Sequence, residues 1–139
     1  MMKSALLLFC LLFTLSTHGQ GIIGAWENVS VTAGGDTLRN VVIFADGYQV
    51  ATTFDAATGK FISTNGGTWS LEGDMMTEKV EFHTDSAALV GLEIRFKVRV
   101  SANEIKIVDK AKVWTRIDDG APGKLQGAWL MSGRVRDGK

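Results

Sequence analysis

Apolar and charged side chains alternate along much of the chain. In Leu92-Glu93-Ile94-Arg95-Phe96-Lys97-Val98-Arg99-Val100, apolar residues hold every even position and charged residues the odd ones up to the last turn of the pattern. A period of two sends the two sets to opposite faces of an extended chain, so this run predicts a half-buried strand. Val80-Glu81-Phe82-His83, Ile105-Lys106-Ile107 and Val113-Trp114-Thr115-Arg116-Ile117 repeat the pattern. No segment after residue 20 carries a long apolar stripe of helical spacing. Strands are expected near 22–31, 38–45, 48–54, 60–64, 68–72, 75–84, 91–101, 104–109 and 112–117.

Turn chemistry lies between the runs. Asp46-Gly47 fits a two-residue hairpin, because both residues tolerate the positive φ that such turns use. Ala57-Thr58-Gly59-Lys60, Glu72-Gly73-Asp74 and Ala102-Asn103 are further turns. Asn65-Gly66-Gly67 reads either as a hairpin turn or as a glycine bulge in a bent strand. Short antiparallel strands joined by sequential hairpins predict an all-β, up-and-down barrel of eight to nine strands, since closure removes exposed sheet edges.

The first residues read differently. Lys3 precedes the apolar run from Ala5 to Leu15, which is shorter than the roughly 20 residues a membrane-spanning helix needs. A charge, a short apolar run and then Ser16-Thr17-His18-Gly19 form the pattern of a secretory signal peptide, residues 1–19. Cleavage there leaves no stable transmembrane segment and removes Cys10, the single cysteine. The exported chain therefore has no disulfide and no thiolate metal site. His83 becomes its only histidine, and no metal motif is expected. Without Lys3 the balance is 14 basic against 15 acidic residues, a net of −1. A near-neutral chain lacks the basic face that nucleic acid needs.

Ile22-Ile23-Gly24-Ala25-Trp26-Glu27 opens the first strand with Gly-x-Trp. This resembles the opening signature of lipocalins and their calycin relatives. The resemblance implies that Trp26 plugs the closed end of the barrel, after Gly24, and that a late arginine, here Arg116, packs over it. Gly66-Gly67-Thr68-Trp69, Thr77-Glu78-Lys79-Val80-Glu81-Phe82 and Val90-Gly91-Leu92-Glu93 are similar, in that order, to blocks of secreted bacterial proteins with lipocalin-like domains. Related chains often carry a second such domain. Here Leu125-Gln126-Gly127-Ala128-Trp129 repeats the Gly-Ala-Trp of the opening, after Asp118-Asp119-Gly120-Ala121-Pro122-Gly123-Lys124. The expected organisation is a barrel over 20–118, then a linker and the truncated start of a second unit over 119–139. A terminal strand that closes the first barrel is the other reading of 125–139.

The leading function is an exported binding module for a small apolar ligand, with no catalytic residue and no cofactor. Phe44, Tyr48, Trp69, Phe82 and Phe96 are the expected interior contacts, among an inner face of Val42, Phe44, Val80, Phe82, Leu92, Ile94, Phe96 and Val98. If those side chains fill the barrel, the domain is a scaffold or protein-interaction module. No protein partner is legible in the sequence. An outer-membrane barrel would turn the apolar face to lipid. An enzyme would need a polar interior that gathers Glu81, His83, Glu93 and Arg95 for proton transfer.

Overall fold

A computed structural model describes residues 21–129 and Gly133; the expected signal peptide and most of the last ten residues lie outside them. Eight antiparallel strands close into a barrel in sequence order: β1 Gly24–Val31, β2 Thr37–Phe44, β3 Tyr48–Asp55, β4 Phe61–Glu72, β5 Met75–His83, β6 Glu93–Val100, β7 Glu104–Ile107 and β8 Lys112–Arg116. The only helical pieces among the described residues are single 3-10 turns over Ala87–Leu89 and Val108–Lys110. The two runs expected at 60–64 and 68–72 are one strand, because Gly66 and Gly67 pair on both sides and do not turn.

Alternation sets the inner face. Trp26 stands opposite Val42, Val42 opposite Ala51, and Ala51 opposite Asn65, so these point inward together. By the same register Leu71, Met76 and Phe96 face inward, as do Val100, Ile105 and Trp114. Ile22, Trp26, Val42, Phe44, Met76, Val98 and Ile105 make the buried core, which sits toward one end. That end is closed by the start of β1, the Asp46-Gly47 hairpin, the Gly73-Asp74 turn and the Ser101–Asn103 turn. In the Asp46-Gly47 hairpin Ala45 N donates to Tyr48 O at 2.8 Å. Only Gly47 takes a positive φ, 71°; Asp46 does not, so the turn uses glycine's freedom alone.

β1 and β8 pair over just two positions, Trp26 with Arg116 and Glu27 with Thr115. Above that seam, Asn28 Nδ2 reaches across to Val113 O at 2.7 Å. Closure is anchored at Arg116. Its guanidinium lies 4.1 Å over the Trp26 ring and donates to Gly21 O (2.7 Å), Ile23 O (3.1 Å), Ala102 O (2.6 Å) and Asp118 Oδ1 (2.9 Å). One planar donor group thus ties the incoming chain, the β6–β7 turn and the end of β8 to the buried indole. Gly24 takes φ 134°, and a Cβ there would strike Arg116 and Asp118.

A bulge at Glu81 decides which side chains see the interior. Gly67 pairs with Val80 and Gly66 with Phe82, leaving Glu81 as the extra residue. One inserted residue flips the faces beyond it. Phe82 therefore turns outward onto Gly66, whose missing Cβ would lie 2.8 Å from the ring. His83 turns inward, opposite Asn65. A Cβ on Gly67 would collide with the Lys79 carbonyl, so the bulge requires glycine there.

The segment after the barrel repeats its opening in detail. Gly127 takes φ 125° against 134° at Gly24. Trp129 Nε1 donates to Leu125 O at 3.0 Å, as Trp26 Nε1 donates to Ile22 O at 2.8 Å. The two indoles differ in cover: Trp26 is 0% exposed and Trp129 76%.

Candidate functional site

The barrel interior has two halves. Toward the closed end it is apolar. Phe44 is buried and meets Trp69 edge to face, ring centroids 5.3 Å apart. Trp69 Nε1 donates to Ala45 O and Tyr48 O at 2.9 and 3.0 Å, which holds the indole against the β2–β3 hairpin. Phe96 is half-buried on the inner face of β6, opposite Met76. Phe44, Trp69 and Phe96 are thus brought to one interior. Tyr48 is not, because it shares the outer parity of Val50, and Phe82 is carried outside by the bulge.

Toward the open end the inner wall is polar. Thr53 Oγ1 donates to Asn40 Oδ1 at 2.9 Å, and Asn40 Nδ2 reaches Asn28 O and Ser30 Oγ, both at 3.3 Å. Asn28 Oδ1 is buried without a partner among the described residues. On the facing wall the inward Leu92 and Ile94 are 49% and 40% exposed. Water therefore reaches inner positions that a filled barrel would cover.

Three further inner groups matter. Gln49 is 5% exposed, and its Oε1 has no partner among the described residues. It stands opposite Gly67, an inner position with no side chain. Glu78 stands between Trp69 of β4 and Ile94 of β6, with Met76 and Val80 beside it on β5. Burial in this apolar setting pushes its carboxyl up to about 7, because the charged form loses water without gaining a partner. Lys112 lies 4.8 Å over the Trp114 ring, and burial, then the nearby Lys110 charge, lowers its ammonium below the ordinary value.

The sequence reading missed Gln49, Glu78, Asn28, Asn40 and Lys112. For Glu78 a signal was present: it shares the parity of Met76 and Val80. The polar constellation that an enzyme would need around His83 is not assembled among the described residues. Arg95 Nε donates to Glu93 Oε1 at 2.9 Å on the outer face, and Glu81 is the exposed bulge residue. His83 Nδ1 accepts from Asp85 N and Ser86 N, both at 3.1 Å, so that nitrogen is used in shaping the β5–β6 loop.

A separate cavity of about 440 Å³ lies at the closed end, between Ile22, Leu71, Asp74 and the Val98–Val100 end of β6. No group of three histidine, cysteine, aspartate or glutamate side chains is placed to hold a metal among the described residues. No helix among them is long and apolar enough to cross a membrane.

A closed eight-stranded antiparallel barrel, plugged by a buried tryptophan under an arginine, is the architecture of a lipocalin-like fold. Among solved structures the chain is similar to a lipocalin-like protein from Bacteroides uniformis. The TM-score is 0.50 at 16% identity, over 70% of this chain and 99% of that one. At that identity the likeness establishes the fold. No family model and no curated protein sequence matches the chain.

Proposed function

We propose that this protein is an exported binding module that holds a small, largely apolar molecule in the open half of its barrel. The observation that carries this reading is the exposure of Leu92 and Ile94 on the inner face. Apolar side chains that face inward and remain wet are the surface a ligand would cover, with a gain of roughly 25 cal/mol per Å². The lipocalin-like fold supports the same reading. Residues 1–19 serve as the export signal, by their charged and apolar pattern.

Native mass spectrometry on the exported chain, purified without detergent, tests it. The expected result is a reproducible added mass that is lost on denaturation. A bare chain that also fails to take up an eight-carbon alcohol in calorimetry would overturn it.

A second reading, a protein-interaction barrel, draws on an exposed outer row. Ile43, Val50 and Phe82 lie side by side across β2 to β5, with Gly66 between the last two. The outer face of β6 argues against a lipid-facing barrel. Glu93, Arg95, Lys97 and Arg99 stand where a membrane barrel needs an apolar band.

The proposal extends to residues 125–129 as the opening of a second unit of the same kind, supported by the repeated φ and the repeated indole-to-carbonyl bond. If so, Leu125-Gln126 can stand in for Ile22-Ile23. The double variant Ile22→Leu, Ile23→Gln is expected to keep the barrel and lose less than about 1.5 kcal/mol in urea unfolding. Loss of the folded state would count against the repeat.

A further inference from the structure

The ladder between β5 and β6 stops before β6 does. Met75 pairs with Lys97, and one last bond runs from Val98 N to Asp74 O at 2.8 Å. At that level Gly73, at φ 62°, turns the chain between β4 and β5, while β6 runs on beside β7 to Val100. Backbone N–H groups along a strand point alternately to its two sides. Val98 N points to the β5 side, and Ser101 N, which donates to Glu104 O at 2.8 Å, points to the β7 side. Val100 therefore turns its N–H and C=O toward the place where β5 is missing. Neither group has a backbone partner there among the described residues.

The cavity of about 440 Å³ at the closed end occupies this gap. Its size lies within the roughly 300–1,000 Å³ of small-molecule sites. The apolar part of its lining is Ile22, Leu71, Val98 and Val100, and its charged part is one acid, Asp74, and one base, Arg99. Asp74 holds a loose contact with Lys97 Nζ at 3.8 Å. Arg99 stands opposite Lys106, a like charge that repels it across the sheet, and no carboxylate forms an ion pair with it among the described residues.

We propose that this cavity binds one α-amino acid with an apolar side chain, at a site separate from the open half of the barrel. The free edge of β6 is one residue long, because Asp74 O already takes Val98 N and the bond from Ser101 N to Glu104 O begins the next turn. It accommodates a single residue and not a strand. That residue pairs with Val100 as a ladder partner does: its ammonium donates to Val100 O, and its carboxylate accepts from Val100 N. Arg99 matches the carboxylate with its planar fork, and Asp74 matches the ammonium. Residues directly opposite on antiparallel strands send their side chains to the same face. Val100 packs inward against the core, so the ligand's side chain falls toward Ile22 and Leu71.

Calorimetry on the exported chain with leucine, leucinamide, isocaproate and glycine tests the site. Leucine should bind saturably. Leucinamide, which lacks the carboxylate, and isocaproate, which lacks the amine, should each bind at least about tenfold weaker, a difference of about 1.4 kcal/mol. Glycine, which lacks the apolar side chain, should also bind weaker than leucine. Arg99→Gln should weaken leucine about tenfold and leave leucinamide unchanged, because the contact it removes is already absent there. Asp74→Asn should weaken leucine and leave isocaproate unchanged by the same logic. Both side chains are exposed, so both variants should keep the wild-type circular dichroism spectrum and the uptake of octanol by the open half. A chain that takes up octanol but not leucine overturns this site and spares the binding module; one that takes up leucine but not octanol supports the site and counts against that module. Leucine binding that neither variant weakens, or tighter binding of the dipeptide leucyl-leucine, overturns the single-residue pairing.

Discussion

Trp26→Ala should cost about 3–5 kcal/mol, most of the stability a domain of this size holds. The indole is fully buried at the centre of the core cluster, and its N–H is satisfied by Ile22 O at 2.8 Å. Truncation leaves a cavity in the closed end, where Val42, Phe44 and Ile105 lose a shared neighbour. It also strips the face on which Arg116 rests, a contact worth roughly 0.5–2 kcal/mol. Urea unfolding followed by circular dichroism measures the loss. Trp129→Ala is the control: its exposed indole should change stability by less than about 0.5 kcal/mol. A Trp26→Ala loss below about 1 kcal/mol would mean that the core does not depend on the plug.

Arg116→Met should cost about 3 kcal/mol, because the flexible apolar chain can cover the indole but donates nothing. Three backbone carbonyls lose the guanidinium at once, and the Asp118 carboxylate keeps only the Ala25 and Gly120 N–H groups. Arg116→Lys should recover little, since one ammonium cannot address four acceptors spread around a planar fork. Asp118 supplies a pH signature. Burial alone would raise its carboxyl, but bonds from Arg116, Ala25 N and Gly120 N, with the Arg116 charge, outweigh that and hold it below 3.8. A lowered folded value means stability that is present at neutral pH and lost as pH falls below 3.8 toward the folded value. The gap between wild type and Arg116→Met should therefore narrow in acid. An unchanged gap would show that the ion pair adds nothing beyond the carbonyl bonds.

The inner layout of β5 shows what reading one strand at a time leaves out. Val80 and Phe82 share a parity in the sequence, yet only Val80 faces inward. Nothing in Val80-Glu81-Phe82-His83 announces the extra residue. It is imposed by Gly66 and Gly67 on the neighbouring strand, where a missing side chain lets the two backbones close in. Glu78 differs. Its inner position follows from the alternation with Met76 and Val80. Gln49 was equally legible from its alternation with Tyr48 and Val50, once one of the three is placed.

By itself the sequence determined the strand content, most of the turns, the hydrophobic face of β6 and the Gly24–Trp26–Arg116 closure, for these rest on local alternation, on turn chemistry and on a short motif. The tertiary structure alone decided that β4 is one strand, that Phe82 and Tyr48 point away from the interior, that the open half is lined by Asn28 and Asn40, and that Gln49 and Glu78 face inward level with Phe44 and Trp69. The physical reason is register. Alternation tells which residues share a face, but which face is inner, and where a bulge exchanges the two, depends on contacts between strands far apart in the chain.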